Sequence, residues 1–167
     1  MQTLTLRTAE ARDAEAIAEI YNHEVTHGVS TFDLTLRSVE EQRAWISARS
    51  GAFSVIVADD MLLDVVGFAA LSTYRDRAGY RTTVENSIYV RRDQHRRGIG
   101  KLLLARLLEV ARDSGFHTVI ARIESTSVGS LALHESLGFT LVGTERQIGR
   151  KHGRWLDSAI MQKMLSE

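Results

Sequence analysis

The sequence predicts an α/β fold whose helices pack on a mixed sheet. Three observations lead there. Segments with period-two alternation and segments with helical spacing follow one another in the order β-α-α-β-β-β-α-β-α-β-β. Residues 83–123 read as strand, helix and strand, which is the crossover a parallel pair requires. The chain of 167 residues fits a single domain, a size that buries about two-thirds of the unfolded surface.

In chain order, LTLRTA (4–9) alternates as a short strand. From Arg12 to about Thr26, Ala14, Ile17, Ile20 and Tyr21 recur at helical spacing. Ser38 and Glu41 form a capping box, so a second helix starts there and runs through Trp45 and Ile46. FSVIVA (53–58) and VVGFAALSTY (65–74) are β-branched and apolar, with DDMLLD between them as the turn of a hairpin. TVENSIYV (83–90) is the next strand. Residues 98–114 form an amphipathic helix with Ile99, Leu103, Leu107 and Val110 along one stripe, stopped by Gly115. HTVIARI is a strand and VGSLALHESLG a helix. FTLVGTERQIG and RWLDSAIMQKML make a closing pair of strands. With no repeat or linker, residues 1–167 read as one domain.

Composition excludes whole classes of function. Twenty-one basic side chains balance twenty-one acidic ones, which argues against a uniformly basic nucleic-acid face. There is no cysteine, hence no disulfide, thiolate metal site or cysteine nucleophile. No apolar run reaches membrane-spanning length and no charged-then-apolar leader is present, so a cytoplasmic protein is expected.

Against this neutral background RRDQHRRGIGKLLL (91–104) concentrates arginine and lysine at a helix start. Unpaired amides and the positive end of the helix dipole, projecting from a glycine-rich loop, suit a small anion such as a diphosphate. Gly98 and Gly100 by themselves also suit a tight strand-to-helix turn. Two nucleotide motifs fail on spacing. A Walker A loop needs a glycine where His95 stands and Ser or Thr where Leu102 stands, and a dinucleotide fingerprint needs glycine at Leu103.

The motif spanning Gln94 to Gly100 resembles the Q/R-x-x-G-x-G/A acetyl-CoA loop of the GNAT N-acetyltransferases. IYNHEV, VENSIYVRRDQ, LHESLGF and GRKHGRWLD resemble more closely the branch acting on phosphinothricin and on methionine sulfoximine or sulfone. The resemblance spans nearly the whole chain. It implies a GNAT-type three-layer α/β fold with a central mixed, mostly antiparallel sheet flanked by helices. It also implies acetyl transfer from acetyl-CoA to the α-amine of a small amino-acid analogue, without metal, in a homodimer with acceptor sites near its interface.

Site residues follow from the same resemblance. Glu85, a carboxylate in an apolar strand, becomes the base; pairing with an arginine is its other reading. His134 lies on an apolar helix, where a hydrogen-bonded core histidine is the ordinary case, and it stands where the wider family has a tyrosine proton donor. Backbone groups of a bulged fourth strand, here Ile88, Tyr89 and Val90, would polarise the acetyl carbonyl. Arg96, Arg97, Gly98, Ile99, Gly100 and Lys101 would hold the diphosphate, with Ser127, where the family has asparagine, and Ser136 as further cofactor contacts. Arg75, Arg77 and Arg81 suit an anionic acceptor or simply a solvated loop. Phe32 would help close the acceptor site, and Trp155 would contact a second subunit or the core.

Two other functions compete. His23-Glu24-Val25-Thr26-His27 satisfies H-E-x-x-H, the zinc-peptidase signature, at the end of a helix and without a clear third ligand. A non-catalytic CoA-binding sensor is the second alternative.

Overall fold

The computed structural model describes residues 4–165. Seven strands and four helices alternate in the expected order: β1 (Leu4–Thr8), α1 (Ala14–His27), α2 (Val39–Ser47), β2 (Ile56–Asp60), β3 (Asp64–Thr73), β4 (Thr83–Val90), α3 (Ile99–Asp113), β5 (Thr118–Glu124), α4 (Val128–Ser136), β6 (Thr140–Lys151) and β7 (Arg154–Met164). The strands form one sheet in the order β1-β2-β3-β4-β5-β7-β6. Every pairing is antiparallel except β4 with β5, which α3 connects.

Each sheet face carries its own core. On one, Ile99, Leu103, Leu104, Leu107 and Leu108 of α3 pack on Val66, Leu71, Val84, Val119 and Ala121, with Leu133 and Leu137 alongside. On the other, Ile17, Ile20, Tyr21 and Val25 of α1, with Ile46 of α2, cover Val57, Phe68 and Ala70. A stripe of leucine and β-branched residues on a 3.6 period thus meets a strand surface of period two on each side. The result is the three-layer architecture expected.

Local signals fix the element ends. Ser38 accepts from the Glu41 amide at 3.1 Å while Glu41 accepts from the Ser38 amide at 2.7 Å, the two halves of the capping box. The second strand begins at Ile56 and not at Phe53. Residues 51–53 are a 3₁₀ turn there, and the Arg49 guanidinium donates to the Phe53 carbonyl at 2.8 Å.

One expected feature is missing. The β3–β4 register runs from Thr73↔Val84 to Gly67↔Val90 without a shift, so β4 carries no bulge. Side-chain alternation along it is therefore unbroken. Glu85 faces the α1/α2 layer and Asn86 the α3/α4 layer.

Candidate active site

Parallel pairing of β4 with β5 is confined to Thr83–Glu85 opposite Thr118–Ile120. Beyond that point β4 stays with β3, and β5 stays with β7 as far as Glu124↔Ser158. The two central strands part and open a cleft of about 980 Å³ whose walls include residues 85–90 and 121–124. The backbone edge of residues 86–90 has no β5 partner, so the parting of the strands, in place of a bulge, exposes it. His95 Nε2 lies 2.9 Å from the Val90 carbonyl and covers one of these groups.

At one end of the cleft α3 begins. Gly98 is its N-cap at φ 77, a left-handed conformation that glycine adopts freely, and no side chain caps the first turn. The amides there remain open to an anion. A Cβ on Gly100 would stand 3.1 Å from Leu133 Cδ2, so glycine lets α3 and α4 approach. Arg96, Gly98, Ile99, Gly100, Lys101 and Ser127 all line the cleft. Ile99 is 2% exposed and offers its backbone. Small residues, free amides and two cations suit the diphosphate of CoA.

Two residues expected at this end stand outside the cleft lining. Arg97 does not line the cleft: its guanidinium donates to Asp60 at 3.1 Å and to Gln94. Ser136 is exposed and donates to the Leu133 carbonyl at 2.8 Å, outside the cleft. The first position of the acetyl-CoA motif, counted back from Gly98, also falls on His95; Gln94 is buried and donates to Asp93 at 3.0 Å.

In the middle of the cleft Glu85 is 29% exposed, with Arg122 Nε at 3.6 Å. Arg122 Nη1 donates to Glu145 at 2.9 Å. Burial pushes the Glu85 carboxyl above its ordinary value, Arg122 works against that, and Glu145 adds to it. From the opposite face comes His134, 3% exposed. Its Nδ1 is 2.8 Å from the Ser130 carbonyl, which can only accept, so Nδ1 carries the proton. In the neutral ring Nε2 then accepts from Asn86 Nδ2 at 2.9 Å. Burial lowers the His134 pKa, against the pull of Ser130, and so favours that neutral tautomer. Asn86 Oδ1 stays buried without a partner among the described residues.

A loop following α1 forms the far wall. Thr31 and Phe32 line the cleft, and the Phe32 ring rests on Gly149 of β6, where a Cβ would meet it at 2.5 Å. Lys151, 3% exposed, donates from Nζ to the Glu24 carbonyl at 2.9 Å and the Thr31 carbonyl at 2.8 Å. His152 Nε2 donates to the Gly28 carbonyl at 3.1 Å. The turn of the β6–β7 hairpin thereby holds the loop in place.

The zinc-peptidase reading fails here. Glu24, which would have to activate water, is gripped by Arg92 at 2.6 and 3.0 Å. Burial disfavours its charge, but Arg92, with Ser30 and His23, outweighs that and holds its carboxyl below the ordinary carboxylate range. Among the described residues no group of three His, Cys, Asp or Glu could hold a metal ion.

Arg75, Arg77 and Arg81 are all exposed on the β3–β4 connection and do not line the cleft. Arg75 stacks 5.0 Å above Tyr74 and 5.6 Å from Tyr80, and these ring contacts hold it on that loop. Trp155 is 58% exposed on β7, so it is not a core residue. Sequence reasoning missed Arg122, Glu145, Asn86, Arg92 and Lys151. The basic and acidic residues in β5 and β6 gave the one available hint, since strands of that kind have little other use for charge in a cleft.

A sheet whose central strands part over a glycine-capped helix start defines an acetyl-CoA-dependent acyltransferase of the GNAT type. The family model of the acetyltransferase (GNAT) domain matches residues 6–160, and the chain belongs to that family. It is similar to the L-amino acid N-acyltransferase MnaT of Escherichia coli, 41% identical over 98% of this chain and 95% of that protein. It is also similar to the L-methionine sulfoximine/L-methionine sulfone acetyltransferase of Salmonella typhimurium, 39% identical over 98% and 96% of the two chains. Among solved structures, a GNAT phosphinothricin acetyltransferase from Sinorhizobium meliloti in complex with acetyl-CoA superposes with a TM-score of 0.93 at 42% identity. That match covers 98% of this chain and 89% of the other.

Proposed function

We propose that the protein transfers the acetyl group of acetyl-CoA directly, in a ternary complex, to the α-amine of a small amino-acid analogue. Methionine sulfone, methionine sulfoximine and phosphinothricin are the acceptor types, in line with the relatives' activities. The observation that carries this reading is the parted β4–β5 cleft, with Glu85 on one side and the Asn86–His134 pair on the other.

In this mechanism the acceptor ammonium gives its proton to Glu85, directly or through one water. The amine attacks the acetyl carbonyl, which the backbone amides of residues 88–90 polarise. The attacking nitrogen then sheds its second proton, the C–S bond breaks, and that proton passes to the departing thiolate. His134 serves as a relay for that proton. Its Nε2 is unprotonated at rest, so it must first gain a proton while the Asn86 amide turns to present Oδ1 as acceptor. The second protomer of a homodimer fits the outer strand, where Leu141, Val142 and Ile148 are 61%, 60% and 52% exposed, and Trp155 beside it.

Thiol release from acetyl-CoA, measured against a panel of amines, tests the assignment. Release with the three amino-acid analogues and formation of their N-acetyl products is expected. Robust acetylation of peptides or polyamines alone would overturn the acceptor class, and cofactor binding without release under any condition would point to a sensor.

A further inference from the structure

Arg122 is the basic side chain of the cleft that stands beside the proposed base. Its donors are only partly used. Nη1 is bonded to Glu145, Nε faces Glu85 at 3.6 Å, beyond hydrogen-bond reach, and Nη2 has no hydrogen bond among the described residues. The Nε–Nη2 edge is the one through which a guanidinium binds a carboxylate side-on with two parallel bonds.

The three groups converge because of register. Glu85 pairs with Ile120, so Arg122, two residues further along β5, points to the same face just where β4 and β5 separate. Glu145 reaches that face from β6, across β7. Two carboxylates and one guanidinium, each about a third exposed, form a cluster of alternating charge at the cleft surface. An α-amino acid carries the complementary pattern, an ammonium and a carboxylate one carbon apart.

Resting on the function proposed above, we infer that Arg122 binds the α-carboxylate of the acceptor and so sets its α-amine against Glu85. Glu145 holds the guanidinium in position from the other side. This assigns an anion-recognition role to β5 within the cleft, whose lining does not include the exposed arginines of residues 75–81. It also makes the enzyme selective for acceptors with a free carboxylate next to the amine. Once a carboxylate occupies the arginine, its pull on Glu85 weakens and Glu85 becomes a stronger base.

The test compares methionine sulfone with its α-carboxamide in the wild type, Arg122→Gln and Arg122→Lys. A charge-assisted pair is expected to make kcat/KM for the acid about tenfold to a hundredfold higher than for the amide in the wild type. Arg122→Gln should bring that ratio close to one, Arg122→Lys should leave it in between, and the KM for acetyl-CoA should stay constant in all three. A ratio that survives in Arg122→Gln, or an equal loss with both acceptors, overturns the inference while leaving the function intact. If the wild type acetylates neither compound, the acceptor assignment itself fails and this inference with it.

Discussion

Replacing Lys151 by methionine keeps most of the side-chain volume and removes one buried ammonium. The wild-type group is 3% exposed and satisfies two carbonyls, those of Glu24 and Thr31, at 2.9 and 2.8 Å. Hydrogen bonds from a charged donor contribute about 1.5–3 kcal/mol each, and a carbonyl left buried without a partner costs about 1–3 kcal/mol. Desolvation of the ammonium opposes this and lowers its pKa, with Glu24 and Asp33 pulling the other way. The net loss on Lys151→Met is therefore about 2–4 kcal/mol, taking the two bonds together and subtracting the burial penalty. In a domain of this size that corresponds to a fall in Tm of roughly 5–15 °C. Because the two bonds tie the loop that carries Phe32 to the last turns of α1, the KM for the acceptor should rise while that for acetyl-CoA stays constant. A lysine whose folded-state pKa is depressed binds fewer protons than the unfolded chain. Wild-type stability should thus increase as pH rises through that lowered value toward the ordinary lysine range, and the variant should lack the increase. Thermal melting by circular dichroism and steady-state kinetics measure these effects. A Tm within about 2 °C of wild type, with an unchanged acceptor KM, would refute the role given to this clamp.

Other outcomes follow from the cofactor end and the proton path. Gly98→Ala forces an L side chain into the left-handed region at φ 77, which costs about 1–2 kcal/mol. It should raise the KM for acetyl-CoA in steady-state assays, whereas Arg91→Ala, which removes an exposed pair with Asp93, should leave it nearly unchanged. Burial raises the Glu85 carboxyl, with Arg122 only partly offsetting it. The acid limb of kcat/KM should then lie above the ordinary carboxylate range, activity falling as pH drops through it, and Arg122→Gln should move the limb higher still. His134→Phe should lower kcat about a hundredfold, the lower end of what a positioned proton-transfer group contributes, while calorimetry finds acetyl-CoA affinity unchanged. Undiminished turnover would remove His134 from the mechanism.

Most of the fold was legible because its signals are local. A Ser-x-x-Glu pair writes its own helix start, and the leucines of α3 announce their stripe within one segment. Residues of the cleft lining were legible where their signals too are local, as in the glycines at the start of α3 and Glu85 within β4. Arg122 escaped notice because HTVIARI reads as an apolar strand. Only the β4–β5 register, and the point at which it ends, brings Arg122 beside Glu85. The arginines near residue 75 misled for the converse reason. Closeness to Glu85 in sequence does not bring them to the cleft, because their loop lies at the exposed β3–β4 end and Arg75 stacks on Tyr74 and Tyr80. The bulge implied for β4 is likewise replaced by a feature of strand pairing, which no single segment encodes.

The central claim is that Glu85, at the parting of β4 and β5, removes the proton from an α-amine that attacks acetyl-CoA. Steady-state kinetics of Glu85→Gln with methionine sulfone, alongside calorimetric titration with acetyl-CoA, test it most directly. A fall in kcat of about a hundredfold to ten-thousandfold is predicted, with loss of the acid limb and no change in acetyl-CoA affinity. Wild-type turnover with the acid limb still in place would contradict it.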